Sequence, residues 1–137
     1  MCAICRGRAP RGGWARDWWP SAATLEPGVA IVIDAVGLPE RMRGADLCVT
    51  GEGAIDSQTA FGKTPAGVAA VARAEDVPVI AIGGGVALEA VSLHERGFDA
   101  LACILNRPMN LAEAMQPETA RAMIAFTVEE MVRCFLA

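Results

Sequence analysis

The chain has 137 residues, of which 53% are hydrophobic, and it carries a formal net charge of −4. This length fits one domain that buries enough apolar surface to fold. The negative charge and the lack of a basic patch argue against a nucleic-acid or anionic-membrane partner. No apolar run is long enough to span a bilayer, and the N-terminus lacks the apolar core of a signal peptide, so we expect a cytoplasmic protein.

The cysteines indicate a reducing environment. An odd number of them is scattered through apolar surroundings, which is typical of reduced intracellular thiols. Cys2 and Cys5 have the spacing of half a zinc site, but no second pair completes it, so we expect no metal knuckle there. The five cysteines are Cys2, Cys5, Cys48, Cys103 and Cys134.

Residues 1–24 differ in composition from the rest of the chain. They contain four arginines and all three tryptophans, without a helical or strand period. One interpretation is a poorly packed leader. The other is a frameshift product, because GC-rich codons for Ala9 to Ala22, read in a shifted frame, can encode a glycine-rich, alanine-rich and leucine-rich segment.

Regular patterns begin after Pro27. Val29 to Val36 is apolar, and its residue types favour a strand, although a helix that ends at Gly37 is an alternative. Pro39 to Arg43 is predicted as a short helical turn. Leu47 to Thr50 is predicted as the strand that leads into the most polar stretch of the chain.

The stretch from Asp46 to Thr64 contains most of the reactive side chains. After the short strand it forms a loop with three glycines, two carboxylates, an amide, several hydroxyls and one lysine. The next helix is predicted to begin at Thr64 and Pro65, with Thr64 as its N-cap and Pro65 as its first residue. A strand, a Gly-rich loop and a helix N-terminus in this order are typical of an anion site.

Two common phosphate motifs do not fit the spacing of this loop. A P-loop requires a glycine where Ser57 stands, although Gly62, Lys63 and Thr64 match its end. A dinucleotide fingerprint requires a third glycine where Asp56 stands. Any phosphate site here therefore belongs to another class.

The rest of the chain alternates strands and helices, which predicts an α/β fold with a parallel sheet. Its sites then lie at the carboxyl ends of strands, where Thr50 to Thr64 and Gly83 to Gly85 are both placed. In the last helix, six apolar residues are expected to point inward: Ala120, Met123, Ile124, Val128, Met131 and Phe135. The predicted elements are a helix over Thr64 to Glu75, a strand over Val77 to Ile82, a helix to Arg96 capped by Gly97, a strand over Asp99 to Leu105, a helical turn over Leu111 to Met115 and a helix over Glu118 to Phe135.

Several loop residues allow either a functional or a structural interpretation. Glu52 and Asp56 suit a base and a metal-bridging carboxylate, or they are turn-forming acids. Lys63 opposes the helix dipole, which favours a bound anion. Gln58 and Thr59 suit a small hydroxy acid, or they are solvated loop residues. Gly83 to Gly85 either admit a nucleotide to the backbone or form a tight turn.

Together these residues resemble a known family, the bacterial type 1 glycerate kinases. The resemblance extends from about residue 25 to residue 137 and departs from the family at Ala54, where a basic residue is expected. It implies a Rossmann-like three-layer α/β fold within a larger two-domain kinase, and it favours a helix over Val29 to Val36. The family carries a glycine-rich segment just before this point, which is what the shifted frame of residues 1–24 can encode. The matching residues are Thr50-Gly51-Glu52-Gly53, Asp56, Gln58-Thr59, Gly62-Lys63, the Pro65-Ala66-Gly67-Val68-Ala69 helix start, Pro78 to Ala81 and Gly97 to Ala100.

The resemblance also implies a function. It implies ATP-dependent, Mg²⁺-assisted phosphorylation of glycerate, with Asp56 and Lys63 catalytic and Glu52 and Asp56 as metal ligands. Gly83, Gly84 and Gly85 then face the nucleotide. Substrate or phosphate would contact Thr50, Gly51, Glu52, Gly53, Gln58, Thr59, Gly62 and Thr64.

The length of the chain suggests a further expectation, because kinases of this family are much longer. The resemblance then covers only the C-terminal part of such an enzyme. We expect a truncated, weakly active or inactive form with an exposed apolar surface that promotes self-association. The alternative function is a non-catalytic α/β remnant that binds small anions.

Overall fold

The computed structural model describes residues 26–61 and 63–137. Within them, three strands form one parallel sheet in the order β1-β2-β3. The strands are β1 (Cys48–Ile55), β2 (Val79–Val86) and β3 (Ala100–Cys103). The α-helices are α1 (Gly28–Ala35), α2 (Leu38–Met42), α3 (Thr64–Ala74), α4 (Leu111–Ala114) and α5 (Pro117–Phe135), and two 3₁₀ helices cover Ser57–Ala60 and Leu88–Arg96. The predicted α/β fold with a parallel sheet is confirmed.

The register of the sheet follows from two neighbouring pairings. Gly51 of β1 lies opposite Ile82 of β2, and Ile80 of β2 lies opposite Ala100 of β3. Asp99 fixes the start of the second pairing, because its side chain accepts a hydrogen bond from the Val79 amide at 2.7 Å while its own amide donates to the Val79 carbonyl at 2.8 Å. The three strands therefore end at one edge of the sheet, as a parallel sheet requires.

The main core lies between β2, α3 and the 3₁₀ helix at Leu88–Arg96. Its largest fully buried side chains include Phe98, Ile55 and Leu93. Small residues of α3 allow the helix to approach the sheet closely, since Ala69 and Ala72 are completely buried. This packing fixes the position of the α3 N-terminus relative to the end of β1.

The two alternatives for Val29 to Val36 are resolved in favour of the helix. α1 ends at Ala35, and Gly37 follows with φ of 61°, a left-handed conformation that favours glycine. Gly97 has φ of 95° after the Leu88–Arg96 helix, which confirms the predicted cap. That helix is 3₁₀ rather than α.

The predicted strand ends at Thr50 and Ile82 were wrong. β1 and β2 continue through their glycines to Ile55 and Val86. The glycines remain extended because they pair with the neighbouring strand, as Ala54 does with Gly85. Gly83 to Gly85 therefore form part of a strand and not a tight turn. β3 is in turn shorter than predicted, at Ala100–Cys103.

Two details of the helices also differ from the predictions. Lys63, not Thr64, is the N-cap of α3, and no side chain caps that helix by a hydrogen bond. In α5, Met123 is buried as predicted, but Ile124 and Phe135 are exposed, while Thr127 is buried. Within the described ranges, no element covers the Ile124 side of this helix enough to bury it.

The cysteines within the described residues are free thiols. Cys48 is half-buried, and burial raises its pKa, whereas Cys103 and Cys134 are exposed. The predictions for Cys2, Cys5, the 1–24 segment and Gly62 lie outside the described residues. No helix in the described part of the chain has the length and apolar character needed to cross a membrane.

An open apolar groove of about 820 Å³ adjoins the sheet. β1 and β2 contribute Val49 and Ile82, α4 contributes Leu111, and α5 contributes Met123 and Ile124. Leu111 is 76% exposed and Ile124 is 42% exposed. Contiguous exposed apolar surface of this kind is typical of a surface that another molecule or segment covers.

The exposed groove is expected to bind hydrophobic dyes and to promote self-association. We expect the 137-residue chain to enhance the fluorescence of a hydrophobic dye and to self-associate in sedimentation experiments, because apolar side chains line an open surface. Ile124→Glu should reduce both signals by placing a charge in the groove. Ala125→Glu, an exposed α5 position outside the groove lining, is the matched control. Equal behaviour of the two variants would show that the groove is not the surface responsible.

Candidate functional site

A polar cluster lies where β1 ends and α3 begins. β1 carries Glu52 near its end, Asp56 follows the strand directly, and the 3₁₀ helix Ser57–Ala60 reverses the chain toward Lys63. The sequence folds this way because an aspartate readily caps a turn through its side chain. The geometry brings the two predicted carboxylates and the predicted lysine together.

Asp56 is held by a reciprocal pair of hydrogen bonds. Its Oδ1 atom accepts a hydrogen bond from the Gln58 amide at 2.8 Å, and its own amide donates to the Thr59 hydroxyl at 3.1 Å. This arrangement is a capping box, in which two backbone donors are satisfied at once. The turn-forming interpretation of Asp56 is therefore correct, and the same contacts give this carboxylate a defined position.

Lys63 joins the two carboxylates. Its Nζ atom lies 3.4 Å from Asp56 Oδ1 and 3.8 Å from Glu52 Oε1. Lys63 is also the only lysine in the sequence. The carboxylates offset the unfavourable interaction of its charge with the N-terminus of α3, so the lysine position alone does not require a bound anion. The three charges sum to one negative charge.

Glu52 connects this cluster to the groove. Its side chain is 20% exposed and lies among the groove-lining residues, whereas Asp56 and Lys63 lie beside the groove at the surface. Thr59 donates a hydrogen bond to Glu52 Oε1 and is itself completely buried. Glu52 is therefore the member of the cluster that lines the groove, and Lys63 contacts its carboxylate from outside the lining.

The glycines at the strand ends differ in their surroundings. A Cβ atom at Gly51 would lie 2.6 Å from the Ile82 carbonyl oxygen, and one at Gly84 would lie 2.9 Å from the Gly53 carbonyl oxygen. These two positions need glycine for the close approach of β1 and β2. Gly53 and Gly85 have no described atom within 4 Å of such a Cβ, so their backbone faces open space at the groove. Gly83 is buried against Ile55.

The remaining predicted residues surround the cluster at different depths. Thr50 is half-buried and lines the groove beside Gly51. Gln58 and Thr64 are exposed, on the 3₁₀ helix and at the start of α3. Thr59 has its hydroxyl proton committed to Glu52 and no exposed surface. The structure thus brings Gln58 and Thr64 to the surface near the cluster and places Thr59 behind it.

The segment that follows β3 was not predicted as part of the site. Ile104, Leu105 and Met109 line the groove, and the exposed Cys103 thiol donates to the Gly84 carbonyl at a distance of 3.6 Å. Their position after a parallel strand was the available signal, because such segments border sites at the carboxyl edge of a sheet. These three residues form an apolar side of the groove, which the glycines of β1 and β2 also line.

The two carboxylates fit a magnesium site that substrate phosphates complete, and not a site in which the protein supplies every ligand. No group of three or more His, Cys, Asp and Glu side chains in the described ranges converges on a metal position. Mg²⁺ is usually bound by one or two carboxylates together with substrate phosphates and waters, so Glu52 and Asp56 fit that donor set. Lys63 supplies the positive charge between them in this structure.

Comparison with known proteins identifies relatives of the chain. The profile described as "Glycerate kinase family" matches residues 7–136. The chain is 47% identical to a glycerate kinase of Bacillus cereus over 91 residues. This alignment covers 66% of this chain and 24% of that protein. Over 94 residues, it is 40% identical to the glycerate 2-kinase of Escherichia coli, with 69% and 25% covered.

A solved structure is also similar. The putative glycerate kinase 2 of Salmonella typhimurium LT2 is 32% identical, with a TM-score of 0.48, over 80% of this chain and 28% of that one. The chain spans about a quarter of the length of the curated relatives that it matches. The family profile begins within the segment of residues 1–24, whose origin stays a prediction. On the extent of this match, the chain belongs to the glycerate kinase family.

Proposed function

We propose that this chain carries phosphoryl-transfer residues of an ATP-dependent kinase that converts glycerate to phosphoglycerate. The observation that carries the proposal is the cluster of Glu52, Asp56 and Lys63 at the carboxyl end of β1. Phosphoryl transfer depends on positioning and charge neutralisation more than on covalent chemistry by the protein. The carboxylates supply a base, Lys63 supplies a cation, and the backbone at Gly53 and Gly85 is accessible from the groove.

Asp56 is the proposed base. It accepts the proton of the glycerate hydroxyl while the hydroxyl oxygen bonds to the γ-phosphorus of ATP and the bond from that phosphorus to the bridging oxygen of ADP breaks. The capping hydrogen bond from Gln58 uses Oδ1 of Asp56. Lys63 also contacts Oδ1, so Oδ2 is the oxygen assigned to the hydroxyl proton.

Lys63 is the proposed electrostatic group. Its ammonium stabilises the negative charge of the transferring phosphate or of the glycerate carboxylate, and the two carboxylates hold it near the groove mouth. The N-terminus of α3 adds partial positive charge at the same place. Thr50, Gln58 and Thr64 are neutral groups suited to the hydroxyls and oxygens of a small hydroxy acid.

Glu52 and Asp56 would hold Mg²⁺ together with phosphate oxygens. The bound ion would neutralise phosphate charge during transfer. Gly53 and Gly85 leave room for the nucleotide to approach the backbone, since no described atom fills the space beside them. Gly51, Gly83 and Gly84 support this role indirectly, because they keep the two strands close enough to form the mouth.

The test uses a hybrid kinase. In this hybrid, the present chain replaces the matching segment of the Bacillus cereus relative. With ATP, Mg²⁺ and glycerate, we expect phosphoglycerate and ADP in equal amounts. The 137-residue chain alone, assayed in parallel, should be orders of magnitude slower, because catalysis needs groups held from both sides of the substrate. A folded hybrid that binds glycerate but never phosphorylates it would instead support the anion-binding alternative.

Lys63→Ala is expected to weaken binding of glycerate and ATP to the hybrid by about tenfold or more, because it removes a charged hydrogen-bond donor. The melting temperature should change little, since the ion pairs of Lys63 are partly exposed and screened by solvent. Calorimetric titration measures the affinities, and Lys63→Arg is the control that keeps the charge. Unchanged affinity together with a clear loss of thermal stability would assign Lys63 a structural role only.

A further inference from the structure

Thr59 is one of two buried polar residues in the described part of the chain, and its side chain is completely enclosed. Burial of a hydroxyl is unfavourable unless the group is hydrogen-bonded. Two polar groups satisfy Thr59: the Glu52 carboxylate and the Asp56 amide. Both partners belong to the polar cluster at the end of β1.

The direction of these hydrogen bonds is fixed by their chemistry. The Asp56 amide is a donor only, so the Thr59 oxygen accepts from it at 3.1 Å. A carboxylate is an acceptor only, so the single hydroxyl proton of Thr59 is directed to Glu52 Oε1. The hydroxyl therefore links the turn after β1 to a carboxylate seven residues earlier on the strand.

This contact selects one oxygen of Glu52. Thr59 and Lys63 both approach Oε1, at the side of the carboxylate that faces the turn. No side-chain hydrogen bond in the described ranges uses Oε2. The carboxylate is thus held on one oxygen while the other is left for a ligand at the groove.

We propose that Thr59 is a positioning residue, which orients the Glu52 carboxylate for its part in the reaction and does not contact the substrate. The inference rests on the proposed function for what Glu52 does, but the orientation of Glu52 is testable without turnover. A buried hydroxyl that fixes a carboxylate reduces the number of conformations the carboxylate samples, and such preorganisation increases the rate more than it increases substrate affinity.

The decisive pair of variants is Thr59→Val and Thr59→Ser. Valine keeps the shape and removes the hydroxyl, whereas serine keeps the hydroxyl. In the hybrid kinase, Thr59→Val should lower kcat by about tenfold to a hundredfold, the size expected for a hydrogen bond to a charged group, and should change KM by less than about threefold. Thr59→Ser should recover most of the rate.

A double substitution separates positioning from general loss of stability. In a Glu52→Gln background, Thr59→Val should cause little further loss of kcat, because the oriented carboxylate is already absent. A purely structural Thr59 would lower the melting temperature in both backgrounds and leave kcat per folded molecule unchanged. Additive losses in the two backgrounds would also overturn the inference.

A measurement without turnover distinguishes failure of this inference from failure of the proposed function. In the 137-residue chain, three-bond NMR couplings of Glu52 should indicate one χ1 rotamer in the wild type and in Thr59→Ser, and averaged rotamers in Thr59→Val. Identical couplings in all three proteins would refute the positioning role. A hybrid that never phosphorylates glycerate, together with these coupling changes, would refute only the kinase proposal.

Discussion

Asp56→Asn is expected to lower kcat for glycerate phosphorylation in the hybrid kinase by about a hundredfold to ten-thousandfold, the usual contribution of a general base. The asparagine amide cannot accept the hydroxyl proton. Its side-chain oxygen still accepts the hydrogen bond from the Gln58 amide, because asparagine is as good a cap as aspartate. The fold should therefore survive while the chemical step is lost.

The measurement is a steady-state assay of phosphoglycerate, with melting temperature recorded on the same samples. Asp34→Asn on α1 is the matched control, since it makes the same charge change at an exposed carboxylate away from the cluster. The control should retain its rate. An Asp56→Asn enzyme with normal kcat would contradict the role of Asp56 as a base.

Gly51→Ala is expected to lower the free energy of unfolding by about 1–3 kcal/mol, the usual cost of overpacking. The new methyl group would lie 2.6 Å from the Ile82 carbonyl oxygen and 2.9 Å from Ile82 Cγ1. The carbonyl belongs to the backbone of β2, so relief requires β1 and β2 to move apart. Denaturant unfolding of the 137-residue chain measures the change.

Gly53→Ala on the same strand is the control for this substitution. Neither glycine has a positive φ, and a Cβ atom at Gly53 meets nothing described within 4 Å. Alanine there should leave stability unchanged or raise it by up to about 1 kcal/mol, because it restricts the unfolded chain. Equal destabilisation by both substitutions would show that close approach at Gly51 is not the cause.

The sequence was informative about the order of elements and the location of the site. The apolar run before Gly83 predicted a buried parallel strand, and Gly97 predicted the end of a helix. The sequence also predicted that Glu52, Asp56 and Lys63 lie close together, since strand, turn and helix follow each other within a short span, although Glu52 lies on β1 and not in the loop. Local propensities and spacing determine these features, so no knowledge of distant contacts was needed.

Features that depend on distant contacts could not be predicted in the same way. Gly83 to Gly85 are compatible with a turn by propensity, but pairing with β1 keeps them extended. Ile124 and Phe135 match an inward helical stripe, yet they are exposed because burial depends on what packs against α5. Thr59 is a polar residue in a polar stretch, which favours an exposed loop position. Its hydroxyl is buried because the chain reverses direction after β1.

The central claim is that the Glu52, Asp56 and Lys63 cluster binds the anionic substrates. Lysine-selective ¹⁵N labelling of the 137-residue chain gives a single backbone amide signal, because Lys63 is the only lysine. Titration with glycerate, inorganic phosphate and Mg²⁺–ATP at constant ionic strength should move this signal along a saturable curve, whereas sodium chloride should not. The usual upper limit of KM is about 1 mM. A Lys63 signal that stays in place at roughly ten times that concentration of every ligand would contradict the claim.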